Sequence, residues 1–103
     1  MRRGELWWID WPGIDRPHIG ALISRTGSHE RRRKATVALV TTRRRGLPFE
    51  VAVGEANGLD HASVINCDEL ATVRLSSLIE HVGVLDDEQL QALDAALRYA
   101  LEV

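Results

Sequence analysis

The chain has 103 residues, with 13 Lys and Arg against 15 Asp and Glu and 45% hydrophobic side chains. That length and mixture indicate one globular domain spanning residues 1–103 and exclude a disordered or fibrous chain. Cys67 is the single cysteine, which excludes an internal disulfide and a cysteine zinc cage and points to the cytoplasm. The apolar run Leu6–Ile9 is closed by Glu5 and Asp10 and is too short for a signal or membrane segment. The near-neutral total conceals a dipolar chain. Residues 1–45 carry eleven basic against four acidic side chains, a balance of +7, whereas residues 46–103 carry two against eleven, a balance of −9. If the fold keeps these parts on different faces, the basic one attracts phosphates or an acidic peptide.

In chain order, the first 55 residues read as strands separated by turns. Gly4–Trp11 ends at the turn Trp11-Pro12-Gly13, and His18–Ser24 follows. After a basic loop comes the β-branched run Ala35–Thr42, and after Arg45-Gly46 comes Pro48–Val53, where Phe49, Val51 and Val53 alternate with Glu50 and Ala52. Ser63–Cys67 and Leu70–Val73 read as two further strands beyond the turn-rich segment 54–61. Ser77 and Glu80 have capping-box spacing, predicting a short helix stopped by Gly83. Asp86 and Gln89 repeat that spacing before Leu90, Leu93, Leu97 and Leu101, which make one apolar stripe of a terminal amphipathic helix. Strands followed by helices indicate an α+β, mainly β domain or small barrel.

The residues offer few familiar catalytic signatures. His18, His29, His61 and His81 show no ligand spacing, so no metal is expected, and Gly-rich phosphate loops and hydrolase elbows are absent. Strand alternation puts Trp7 and Trp11 on one face and Trp8 on the other; Trp8 is assigned to the core, leaving Trp11 as a base-stacking candidate. Arg31–Lys34 and Arg43–Arg45 flank one strand at its two ends, as solvated loops or as contacts to a phosphate backbone.

Several segments in succession resemble the MazF/PemK family of toxin endoribonucleases from type II toxin–antitoxin systems. They are Arg3-Gly4-Glu5-Leu6-Trp7-Trp8-Ile9-Asp10, the Arg16-Pro17 pair with Ser24, Val37-Ala38-Leu39-Val40-Thr41-Thr42, and Leu47-Pro48-Phe49-Glu50-Val51. Gly58-Leu59 with Ser63-Val64-Ile65, then Thr72-Val73, Leu78, Gly83 and Leu85, complete the match over nearly the whole chain. The resemblance implies an SH3-like small antiparallel β-barrel, a homodimer, and metal- and cofactor-independent cleavage of single-stranded RNA by attack of its own 2'-hydroxyl. It implies inhibition by a cognate antitoxin through an acidic segment, and it carries the catalytic roles to Arg16 and Thr41. Arg16 suits stabilisation of phosphate charge better than proton abstraction, because guanidinium stays protonated. Thr41 offers a hydroxyl to a phosphate oxygen or to the 2'-hydroxyl.

This chain departs from the family pattern in three places. The loop after the first strand shrinks to Pro12–Asp15, with Asp15 standing for a glutamate; Gly20 is read as a bulge; and Glu69-Leu70-Ala71-Thr72-Val73-Arg74 alters two polar positions and reverses a charge. Trp11, Asp15, Thr42, Arg43, Glu69 and Thr72 are the candidate RNA contacts. His18, on the face of Arg16 by alternation, is the candidate acid or base. A gyrase poison like CcdB, with the same fold, and a noncatalytic RNA- or peptide-binding barrel are the competing readings.

Overall fold

A computed structural model describes residues Met1–Val103. The elements in order are β1 (Glu5–Ile9), β2 (His18–Leu22), α1 (His29–Arg32), β3 (Lys34–Thr41), β4 (Glu50–Val53), β5 (Ser63–Arg74), β6 (Leu78–Val84) and α2 (Asp87–Leu101). Single 3-10 turns occupy Glu55–Asn57 and Leu75–Ser77. The strands form one antiparallel sheet in the order β4-β5-β3-β2-β1-β6.

The sheet curls around two cores, one on each of its faces. Leu6, Ala21, Ala38, Val40, Val51, Ile65 and Cys67 pack with Leu93 and Ala96 of α2 in the first, while Ile9, Trp11, Leu22, Ala35, Val37 and Val73 make the second. Both faces of β3 are therefore covered, Ala35 and Val37 on one side and Ala38 and Val40 on the other. That is why its sequence is an unbroken apolar run rather than an alternation. The terminal helix forms as the spacing predicts: Asp86 Oδ1 accepts from Gln89 N at 2.7 Å, and the Gln89 side chain accepts in return from Asp86 N at 3.0 Å. Leu93 is fully buried, but the stripe ends in the open at Leu101.

Three expectations are corrected. Ser77 and Glu80 start no helix. Residues 75–77 make one 3-10 turn and Leu78–Val84 continues as β6, an edge strand paired with β1. The local capping pattern loses to the pairing partner that β1 offers along its free edge. The short helix lies instead at His29–Arg32, inside the basic loop. The two strands read at Ser63–Cys67 and Leu70–Val73 are one, β5, whose ladder with β3 jumps from Asn66↔Leu39 to Leu70↔Ala38. Residues 67–69 leave the β3 ladder at that jump, Cys67 staying in the first core while Asp68 and Glu69 are exposed, and Asp68 N donates to Asn66 Oδ1 at 2.9 Å. Gly20 is no bulge. Its ladders with β1 and β3 run straight, and a Cβ there would collide with Ile9 Cδ1 at 2.6 Å and Trp11 Cζ3 at 3.0 Å.

No hydrogen-bonded ladder joins β4 to β6; the gap is closed by side-chain amides. Asn57 Nδ2 donates to Val84 O at 2.9 Å and to Gln89 Oε1 at 2.7 Å, and Gln89 Nε2 donates to Asn57 Oδ1 at 3.0 Å and to Ala52 O at 3.2 Å. Gly54 N adds a bond to Asn57 Oδ1 at 3.1 Å. Every amide donor of this pair is used, as the buried Asn57 requires. Gly83 and Gly58 let the backbones meet there, since a Cβ on Gly83 would run into the Asn57 carbonyl and one on Gly58 into that of Val82. The sheet is thus barrel-like without a continuous ladder. Gly83→Ala should lower stability by about 1–3 kcal/mol or more through this backbone clash, measured by urea unfolding; an unchanged midpoint would show that the seam does not hold the barrel.

Candidate active site

The β2–β3 ladder sets Gly20 opposite Leu39, and its direction carries His18 toward Thr41 where β2 begins and β3 ends. At that mouth of the barrel lies a cavity of about 400 Å³. Arg16, His18, Thr41 and Thr42 line it together with Asp60 and His61, from the segment between the Glu55–Asn57 turn and β5, and Ser63, which opens β5. Trp8, Ile19, Val40 and Leu59 make its apolar walls.

Backbone groups orient two of these side chains. His18 Nδ1 lies 3.1 Å from Arg16 O. A carbonyl only accepts, so Nδ1 carries the proton and, in the neutral ring, Nε2 keeps the free lone pair. Thr41 Oγ1 accepts from Arg43 N at 3.2 Å, which leaves the hydroxyl proton free to donate outward. Arg16 is exposed in the β1–β2 connection and forms no ion pair with an acid of this chain. Its charge is therefore available to a ligand anion. Cys67 takes no part: burial pushes its thiol up to about 11, with a further push from Asp68, and holds it protonated.

The 43–49 segment beside Thr41 is tied down by Glu50. One carboxylate oxygen accepts from Arg45 N at 3.0 Å, Gly46 N at 2.9 Å and Leu47 N at 3.4 Å, and the other faces Arg45 Nε at 3.6 Å. Desolvation pushes the Glu50 carboxyl upward, but the N–H donors and Arg45 outweigh it and hold it below the ordinary value of 4.5. That binding gives the glutamate of the Leu47-Pro48-Phe49-Glu50-Val51 segment a structural reason.

The other candidate contacts do not converge here. Trp11, Asp15 and Thr72 border a separate shallow depression with Asp10 and Arg74. Glu69 sits exposed on the β5 bulge, and Arg43 is exposed just past Thr42. The two tryptophan assignments are reversed. Trp11 is only 8% exposed, inside the second core, whereas Trp8 is 39% exposed. The alternation itself holds, for Trp7 and Trp11 both pack with the second core. Trp8 shares the face of Leu6 but stands at the end of β1, where the first core gives way to the cavity. The two arginine runs remain apart: Arg32, Arg33 and Lys34 meet Arg74 in another depression at the far end of β3.

Asp60, His61 and Ser63 were absent from the candidate contacts read along the chain. Their signal was the Gly58-Leu59 pair before them, because Leu59 is a buried anchor that brings the following residues to the mouth. No group of three or more His, Cys, Asp and Glu side chains is arranged to hold a metal ion, and no helix is long and apolar enough to cross a membrane.

Residues 2–101 match the family of PemK-like, MazF-like toxins of type II toxin–antitoxin systems. The chain belongs to that family. It is 33% identical over 101 residues to a probable endoribonuclease, MazF5, of Mycobacterium tuberculosis, covering 97% of this chain and 92% of that protein. The structure of the Mycobacterium tuberculosis toxin MazF-mt6 is similar at a TM-score of 0.88 and 29% identity, over 96% of this chain and 97% of that one. An endoribonuclease from a mycobacterial species, solved in complex with its cognate antitoxin, shares the fold at a TM-score of 0.88 and 22% identity, over 100% of this chain and 96% of that one. These likenesses agree with the barrel-like, mainly β fold.

Because Trp11 is core and Trp8 is rim, Trp11→Ala should cost about 3–5 kcal/mol and Trp8→Ala a fraction of that. Thermal and urea unfolding of the two variants checks the reversal, and equal losses would contradict it.

Proposed function

We propose that this MazF-like toxin is an endoribonuclease that cuts single-stranded RNA by driving the 2'-hydroxyl onto the adjacent phosphate. The observation that carries the reading is the convergence of Arg16, His18 and Thr41 on one cavity with an aromatic wall. Arg16 holds the phosphate oxygens and stabilises the charge that builds on them. Thr41, its oxygen already engaged by Arg43 N, donates its hydroxyl to the same phosphate. His18, its tautomer set by Arg16 O, presents Nε2 to the 2'-hydroxyl and takes the proton that a guanidinium cannot take. Trp8 gives a base a surface to stack on, worth about 1–3 kcal/mol.

The chain's own groups supply each of these roles, so the reaction needs no metal or cofactor. Thr42 lines the cavity and Arg43 follows it, and both sit where the RNA strand passes Thr41. Trp11 lacks the exposure for such a role. Asp15, Glu69 and Thr72 lie away from the reacting phosphate and serve flanking nucleotides at most. The single thiol, buried and protonated, suits a reducing cytoplasm.

Purified protein incubated with a long single-stranded RNA in excess chelator should leave 2',3'-cyclic phosphate and 5'-hydroxyl ends. Arg16→Ala should lose about 10²- to 10³-fold in rate, and Thr41→Val, which keeps the β-branched shape, should be severely impaired while unfolding like the parent. Full activity in a folded Arg16→Ala protein, or strict dependence on added metal, would overturn the mechanism, and absence of any cleavage by the parent would favour a gyrase-binding or noncatalytic barrel.

The partners follow the same electrostatics. An acidic segment of a cognate antitoxin competes with RNA for the basic amino-terminal part, which carries a balance of +7 over residues 1–45. A second copy of the chain gives a two-fold dimer that buries exposed apolar side chains such as Ile79, Val84 and Leu101. Light scattering should report twice the chain mass of 11.5 kDa at high concentration; a monomer throughout would exclude the dimer.

A further inference from the structure

We infer that His61 is the general acid of the cleavage, protonating the departing 5'-oxygen across the cavity from His18. The inference rests on the ribonuclease reading above. In that reaction a bond forms between the 2'-oxygen and phosphorus while the bond from phosphorus to the 5'-oxygen breaks. One proton must leave the 2'-hydroxyl and one must reach the 5'-oxygen. His18 takes the first, and a second group has to give the other. Arg16 is too basic to release a proton readily, and a threonine hydroxyl is too weak an acid. Imidazole is the side chain that exchanges protons near neutrality, and the cavity holds two.

The order of the strands sets the two imidazoles on opposite sides of Thr41. β3 lies between β2 and β5, and Thr41 pairs with Val64 at the start of β5. His18 approaches Thr41 from the β2 side, and His61, three residues before Val64, approaches from the β5 side. A phosphate held by Thr41 and Arg16 therefore has one imidazole on each flank, as attack on one side and departure on the other require. The His61 backbone is held while its side chain reaches the rim. Ser63 Oγ donates to His61 O at 3.0 Å, and Leu59 and Ser63, each 6% exposed, anchor the segment on either side. The other ionisable groups facing the two imidazoles are Arg16, from the β1–β2 connection, and Asp60, next to His61.

The test uses the full chain and a short oligoribonucleotide carrying a cut site mapped on long RNA, made with either the normal 5'-oxygen or a bridging 5'-sulfur. A thiolate leaves without a proton. His61→Ala should be slowed about 10²- to 10⁴-fold on the oxygen substrate, should lose the alkaline limb of the pH–rate profile, and should recover to within a few-fold of the parent on the sulfur substrate. His18→Gln should be slow on both substrates and lose the acid limb. Parental rates for His61→Ala on the oxygen substrate, or equal slowing on both, would overturn the assignment, the second outcome marking a binding role. Failure of the parent protein to cut either substrate would overturn the ribonuclease reading itself, and the assignment with it.

Discussion

The amide pair of Asn57 and Gln89 is the constraint on which the rest of the structure hangs. Its four donors and the backbone groups they meet join the turn after β4, the end of β6 and the first turn of α2 at the one place where the sheet has no ladder. An unpaired buried amide costs on the order of 1–3 kcal/mol, so the pair tolerates little displacement of any of the three. The 58–62 segment starts from this seam, and the placement of Leu59, Asp60 and His61 at the barrel mouth follows from it.

The site exploits a division between backbone and side chain. Groups that must be oriented are oriented by main-chain atoms: Arg16 O sets the His18 tautomer, and Arg43 N occupies one side of the Thr41 oxygen. The charge that must act on the ligand is left unpaired, and Arg16 has no carboxylate to neutralise it. Glu50 shows the opposite arrangement, where three N–H donors converge on one carboxylate oxygen and Arg45 faces the other to hold a loop. The arginines therefore divide into those paired within the fold, as Arg45 is with Glu50, and those left without a carboxylate partner, as Arg16 is.

Covering both faces of the sheet has a further consequence for a chain this small. Core positions appear at both parities of β1 and β3, so neither burial nor function can be inferred from parity alone. Trp8 and Leu6 share a face, yet Leu6 is fully buried and Trp8 borders the cavity. What separates them is distance along the strand from the helix that closes the first core. The cavity wall is thus the frayed end of that core, which explains why Ile19, Val40 and Leu59 contribute to both.

Family resemblance singled out Arg16 and Thr41, whereas local chemistry determined β1 to β4 within a few residues and the capped terminal helix. These depend on turn residues, β-branching and cap spacing, which act over a few residues. Tertiary structure decided the rest. Residues 78–84 became a strand because β1 had a free edge, a contact that spans about seventy positions and leaves no local trace. Trp11 went inside because Gly20, nine residues away, left room for its ring. His61 reached the site because the Asn57–Gln89 amide pair closed the barrel beside it. Such packing sums contacts between segments that meet only in the folded chain, and the local pattern around either partner does not name the other.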